Sequence, residues 1–280
     1  MSRPRRRPGV GLESLLLHAA LIAAAAVTLV PLLWMVSVSL MPAGEATTYP
    51  PAFLPSRVTF EHYRTLFTRL AVGRDLVNST LIAAAVTAFS LLFNSAAGYA
   101  FAKLRFAGRE RLFNLLLGAL VIPTQVAMLP LFLLLRSLGL INTYWGVVVP
   151  SMASIFGIFL VRQFALALPD ELLDAARIDG ASELRIYRSV VLPLCRPVLL
   201  TLAIFTFLAT WNDFTWPLVV LTDGKMYTLP IALANLLGEH DLDTELMMAG
   251  AVLTVAPVLL IFIALQRYYI AGIMLGGVKE

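Results

Sequence analysis

Taken only as apolar and polar positions, the chain is a series of long apolar runs parted by short charged segments. Nearly uncharged runs occupy 15–40, 76–102, 112–135, 144–166, 197–222 and 246–265. Each is of the order of the ~20 residues that an α-helix needs to cross a hydrocarbon core, so the pattern predicts six transmembrane helices. Only Arg136 and a stretch containing Gly139, Asn142 and Gly146 separate the third run from the fourth, and that stretch reads as a turn. Pro31, Pro123, Pro130, Pro150 and Pro217 fall inside runs. A spanning helix tolerates them because its neighbours re-satisfy the freed backbone groups. Between the first two runs, turn residues give way to Phe60, Tyr63, Phe67 and Leu70 at helical spacing. This predicts a short amphipathic helix lying on one face. No polar block is long enough to be a separate soluble domain. The expectation is an all-α membrane protein with a single transmembrane domain over 1–280.

Composition agrees. Of 280 residues, 59% are hydrophobic and 14% charged, where a soluble domain carries roughly 25% charged residues. Cys195 is the one cysteine, so no internal disulfide is possible, and His18, His62 and His240 lack metal-ligand spacing. The start, "MSRPRRRPGV" before an apolar run, imitates a secretion signal. The run is about twice the usual length and no small-residue cleavage site follows, so a retained first span is expected. With the N-terminus inside, inner segments hold 15 of the 21 Lys and Arg residues: Arg3, Arg5, Arg6, Arg7, Lys103, Arg105, Arg109, Arg111, Arg162, Arg177, Arg185, Arg188, Arg196, Arg267 and Lys279. That bias predicts both termini in the cytoplasm. The net charge of +4 then reports orientation rather than nucleic-acid binding.

The most polar segment, about 169–191, falls between the fourth and fifth runs and therefore inside. Pro169 suits a helix start, and Asp170, Glu171 and Asp174 follow near the positive end of the helix dipole. Gly180 breaks the run, and Ser182 suits the N-cap of a second helix over Glu183 to Val190. The prediction is helix, glycine turn, helix, with small residues Ala175, Ala176 and Ala181 at the turn. It could be a solvated loop or a docking hairpin for a cytoplasmic protein. A DNA-reading helix-turn-helix is excluded by charge: five acids stand against three arginines, and a net −2 repels phosphate.

"LLDAARIDGAS…VVLPL" resembles the coupling-loop motif of ABC importer permeases, through Ala175, Ala176, Asp179, Gly180, Ala181, Leu192 and Pro193. Asp174 stands where that family usually has Glu, keeping the charge with a shorter reach. "FAKLRFAGRE", "VIPTQVAMLPLF", "WNDFTWPLVVL" and the C-terminal "QRYYIAGIMLGGVKE" extend the likeness over essentially the whole chain, most closely to the shorter, maltose-type permease of the carbohydrate-uptake branch. The tail reads "GIMLGGVKE" where the family usually has "GLTAGAVKG". The resemblance implies a plasma (inner) membrane protein of a bacterium or archaeon and a set of partners: a second permease chain, two cytoplasmic ABC ATPases that bind ATP and Mg, an external solute-binding protein and a carbohydrate substrate, all within membrane lipid. It implies no cofactor on this chain, which has no Gly-x-x-x-x-Gly-Lys-Ser/Thr phosphate loop. It also implies that Asp174, Ala175, Ala176, Asp179, Gly180 and Ala181 couple ATPase closure to the pathway.

Trp211, Asn212 and Asp213 fall near the middle of the fifth run. A carboxylate at that depth costs at least ~2.5–3.5 kcal/mol and calls for a cavity or a partner. Asn212 and Asp213 either line a route and bond substrate hydroxyls or bond between helices. Trp211 and Trp216 either offer flat faces to sugar C–H groups or pack. Gln125 is a further pathway candidate, and Asn94 reads as an interhelical hydrogen bond. The segment "TDGKMYTLPIALANLLGEHDLDTE" reads as an outer loop whose acids Glu239, Asp241, Asp243 and Glu245 form a solvated rim. No paired acid–base or Ser/His set occurs in the runs, which argues against a membrane enzyme. The alternatives are an ion-coupled secondary transporter working through Asp213, and an importer permease for a non-sugar solute.

Overall fold

The structure, a computed structural model, describes residues 12–50, 52–239 and 243–277. The N-terminal arginines, His240, Asp241, Lys279 and the end of the tail therefore lie outside the described residues. The order is α1 (Leu12–Ser39), α2 (Glu61–Thr68), α3 (Val72–Lys103), α4 (Arg109–Ala119), α5 (Thr124–Ser137), α6 (Tyr144–Ser151), α7 (Ile155–Leu166) and α8 (Asp170–Ile178). There follow α9 (Glu183–Ile186), a π-turn (Tyr187–Val191), α10 (Leu192–Leu194), α11 (Arg196–Trp211), α12 (Thr215–Val220), a 3₁₀ turn (Gly224–Met226), α13 (Leu229–Glu239) and α14 (Thr244–Gly277). No strand occurs among the described residues. They divide into two compact units, Met1–Leu70 with Leu236–Leu253, and Ala71–Asn235 with Thr254–Glu280.

Among the described residues, four helices are long and apolar enough to cross a membrane: Ser14–Ser39, Val72–Lys103, Tyr144–Leu166 and Thr244–Ala264. Two more candidates are bent pairs, Arg109–Ala119 with Thr124–Ser137 at 103° and Glu183–Leu194 with Arg196–Trp211 at 79°. Counted as one span each, they bring the total to six. The third run is thus not the straight helix expected over 112–135. Pro123 disfavours helical backbone at Ile122, and the chain turns there before α5 begins. The fourth run breaks after Ser151, and Ser154 caps α7 by accepting the Gly157 N–H at 3.0 Å. The fifth run, expected over 197–222, breaks at 212–214, where short polar side chains compete for backbone groups. Asn212 bonds back to the Leu208 carbonyl at 2.8 Å, and Asp213 accepts the Trp216 N–H at 3.3 Å.

In the first unit, α1 leaves leucines such as Leu16 and Leu33 more than 60% exposed, a surface that needs lipid or a partner. The α2 helix forms where expected but buries a different face. His62 and Leu66 are buried while Phe60 and Phe67 stay exposed. Polar bonds set this rotation: His62 Nε2 donates to the Met41 carbonyl at 2.9 Å, and Tyr63 pairs with Ser39 at 2.8 Å. The acids are not all a solvated rim either. Glu245 is 2% exposed and accepts the Ala46 N–H at 2.8 Å, and Asp243 caps α14 through the Leu246 N–H at 2.8 Å. The side chains of Glu239 and Asp241 lie outside those described.

The second unit is built around α3, which packs along α7, α11 and α6. Small residues permit the approach. A Cβ at Gly98 would sit 2.7 Å from Val161 Cβ, so only glycine lets the α3 backbone close on α7 there. Apolar residues gather at two places. Ile82, Val86, Val147, Val148, Val220 and Leu221 form one cluster, and Tyr99, Leu173, Ile186, Tyr187, Val191, Cys195 and Val198 the other. The turn expected around Gly139 and Asn142 forms over 139–143, and Gly146 falls in the first turn of α6. Asn142 has φ 57° and takes the Thr222 and Asp223 N–H groups at 3.0 and 2.9 Å. Asn78 is buried, bonding the Lys225 and Tyr227 carbonyls and the Tyr144 hydroxyl.

Candidate functional site

The helix–glycine–helix segment has its predicted local form. The α8 helix ends in a left-handed glycine, Gly180 at φ +77°. The Gly180 N–H bonds the Arg177 carbonyl and the Ala181 N–H bonds the Ala176 carbonyl, both at 3.0 Å. This is the paired C-terminal cap that a left-handed residue makes possible. The Ser182 side chain caps α9 by accepting the Arg185 N–H. The second helix runs further than Val190, to Leu194, and widens into the π-turn before Pro193. The proline has no N–H and its ring crowds the preceding turn, which the wider turn relieves.

Asp174, Ala175, Asp179 and Gly180 are exposed, but Ala176 and Ala181 are half-buried against the apolar cluster beneath the hairpin. A Cβ at Gly180 would meet nothing within 4 Å. Within this chain, therefore, only backbone conformation demands glycine there. The outer side of the hairpin carries bare apolar side chains, Ile178 at 86% and Leu184 at 62% exposure.

Charge fixes the hairpin internally. Arg177 bonds Asp174 through Nη1 and Glu183 through Nε, each at 2.8 Å. The Glu183 bond, then the Asp174 bond, raises the Arg177 pKa above its ordinary value. Glu183 also accepts the Tyr99 hydroxyl at 2.6 Å, and Lys103 Nζ donates to Asp170 and to the Leu168 carbonyl at 2.6 Å. The Lys103 hydrogen bond and then its charge hold the Asp170 carboxyl below the usual carboxylate range. A carboxylate with a depressed pKa keeps its partner until pH falls through that lowered value, so this strap persists across the neutral range.

Three helix breaks, at 120–123, 152–154 and 212–214, line one open cavity of about 560 Å³ that includes Ser90, Thr124, Ser154, Thr206 and Asp213. A neighbouring cavity of about 390 Å³ shares Thr124, Ser151 and Asp213 and adds Gln125 and Trp216. Asp213 and Gln125 are thus brought together. Asn212 is exposed, bonds its own helix and lines neither cavity. Trp211 is 2% exposed, stacks on Phe207 and donates to the Thr254 carbonyl at 3.0 Å, so it packs. Trp216 donates to the Gly146 carbonyl at 3.1 Å while lining the smaller cavity.

Asn94 makes an interhelical bond, as its type suggested. Its Oδ1 accepts the Ser154 N–H at 2.9 Å, and its Nδ2 donates to Ser90 at 2.7 Å. The sequence reading did not find the Tyr99–Glu183 and Tyr187–Ser95 pairs, because nothing in their local spacing joins residues 84 and 92 positions apart.

Residues 94–274 match the family described as binding-protein-dependent transport system inner membrane component. The chain is 42% identical over 252 residues to the arabinooligosaccharides transport system permease protein AraQ of Halalkalibacterium halodurans, covering 89% of this chain and 90% of the relative. It is 33% identical to the lactose transport system permease protein LacG of Rhizobium radiobacter over the full length of both. Its fold is similar to a chain in the crystal structure of a bacterial ABC transporter involved in the import of the acidic polysaccharide alginate, with TM-score 0.82, 24% identity and coverage of 95% of this chain and 100% of that one. On the family match and the extent of these relatives, the chain belongs to the inner membrane permease components of binding-protein-dependent transport systems.

Proposed function

We propose that the chain is one of two permease subunits of an ATP-driven importer for a carbohydrate, with its single permease domain crossing the membrane six times. The observation that carries this reading is the 169–191 hairpin: a glycine-capped, internally ion-paired projection whose outer side keeps Ile178 and Leu184 bare. A rigid projection of that kind suits a groove in a partner. One cytoplasmic ATPase would take it, and ATP and Mg would bind on the ATPases. Asp174, Ala175, Asp179 and Gly180 would meet that partner, with Ala176 and Ala181 supporting them from beneath. Asp213 and Gln125 would line the route for a hydroxyl-rich solute delivered by an external binding protein. Trp211 would hold the Asp213 break in place from behind, and Asn212 would lie at the edge of the route. The names of the relatives, two of them systems for arabinose-containing and lactose sugars, support a di- or oligosaccharide. The test is ATPase activity of the assembled complex with its binding protein over a panel of arabinotriose, lactose and non-sugar solutes. Stimulation by a sugar is expected, and stimulation only by a non-sugar would overturn the substrate assignment.

Orientation has its own prediction. The bias of basic residues supports cytoplasmic termini, which puts α2 outside. Cysteine at Arg64 or Arg69, both exposed, should react with an impermeant thiol reagent added to intact cells, against little background because Cys195 is buried. Reaction only after lysis would reverse the topology.

A further inference from the structure

The α3 helix carries two sets of polar side chains with different partners. Ser95, Tyr99 and Lys103, each four residues apart, meet the hairpin, while Ser90 and Asn94, also four apart, meet α7 and α11. Ser95 donates its hydroxyl hydrogen to the Leu91 carbonyl, so Tyr187 is the donor in the 2.6 Å contact between their hydroxyls. Tyr99 donates to Glu183, which Arg177 holds from its other oxygen, and Lys103 grips Asp170. The Tyr99 and Tyr187 rings pack with centroids 5.7 Å apart. Of the bonds from α3 to the hairpin, those of Tyr99 and Lys103 end on a carboxylate, the stronger class. On the other side, Asn94 holds the Ser154 N–H at the α6–α7 break, and Ser90 meets Thr206 of α11 at 3.3 Å. Gly157 leaves the room for Asn94, since a Cβ there would lie 2.5 Å from its Nδ2. Ser90, Ser154 and Thr206 all line the larger cavity.

We propose that Tyr99 and Glu183 are the joint through which the hairpin moves α3, and that Asn94 delivers that movement to the cavity by way of Ser154. The proposal rests on the coupling role assigned to the hairpin. The hairpin cannot shift against α3 without breaking charge-assisted bonds and separating two packed tyrosine rings, so the two move together. One residue before Ser95, α3 is tied to the Ser154 break, because the buried Asn94 holds the Ser154 N–H through Oδ1 while Ser90 of the same helix fixes its Nδ2. Tyr99, Glu183 and Asn94 are then positioning residues for transport.

The test uses the complete complex in proteoliposomes, with arabinotriose or lactose, whichever stimulates its ATPase more, and reads sugar carried per ATP hydrolysed. Tyr99→Phe keeps the ring and removes the joint. It should lower that ratio about tenfold while subunit stoichiometry and ATP hydrolysis persist. Glu183→Ala should lower the ratio too, since it removes the acceptor of that bond along with the Arg177 bond, and the double variant should be no worse than the poorer single. Were Tyr99→Phe not to assemble, Glu183→Ala alone, at a position partly open to solvent, still tests the loss of that bond. A wild-type ratio, or uptake and hydrolysis falling in parallel, would overturn the proposal. If Gly180→Val uncouples transport and Tyr99→Phe does not, the joint fails and the hairpin stands. If neither changes the ratio, the coupling role itself fails.

Discussion

Gly180→Val should leave the chain inserted and paired with its fellow permease, yet cut sugar uptake at least about tenfold, with ATPase subunits lost from the purified complex or hydrolysing without transport. The reason is local. At φ +77° a side chain costs roughly 1–2 kcal/mol, and a β-branched one suits the left-handed region worst. If the backbone leaves that region, the two capping bonds to the Arg177 and Ala176 carbonyls go with it. Nothing within 4 Å would touch the new Cβ, so the fold beneath the hairpin survives. Gly180→Asn separates shape from bulk. Asparagine enters the left-handed region readily, and its side chain is similar in size to valine. It should keep most of the uptake that valine loses. Wild-type uptake and stoichiometry in Gly180→Val would remove the hairpin from the mechanism. Equal loss in both variants would move the cause from backbone strain to space in the partner's groove.

Asp213→Asn should reduce uptake roughly tenfold or more while the complex assembles normally. Asparagine still presents an oxygen to the Trp216 N–H, so the α12 start and its packing are retained. What changes is a charged acceptor on two adjoining cavities. A hydrogen bond to a charged group contributes about 1.5–3 kcal/mol, and ~1.4 kcal/mol is a factor of ten. The measurement is uptake over a wide range of sugar concentration, with ATPase stimulation alongside. Unchanged uptake at all concentrations would take Asp213 out of the pathway. A loss restored at high sugar would place its contribution in binding rather than in the transport step.

Much of this protein is legible one segment at a time. Apolar runs of membrane length need only composition, because hydrocarbon accepts no exposed backbone polar group and so demands helices. The hairpin is equally local: a proline start, early acids, a glycine at the left-handed position and a serine cap each act within four or five residues. The breaks were less visible. Prolines and short polar residues at 120–123, 152–154 and 212–214 could have meant kinks or stops, and only packing chose stops and turned three of them toward one cavity. Side-chain direction was the least visible property. Trp211 and Asp213 are two residues apart, yet one is packed beneath the Thr254 carbonyl and the other lines open space. His62 rather than Phe67 faces inward on α2 because the Met41 carbonyl takes its N–H. The joint between Tyr99 and Glu183 joins segments 84 residues apart. Short-range preferences set helices, caps and turns because their partners are close in the chain. Which polar groups meet across helices depends on the final approach of the backbones, and that approach exists only once the helices have packed.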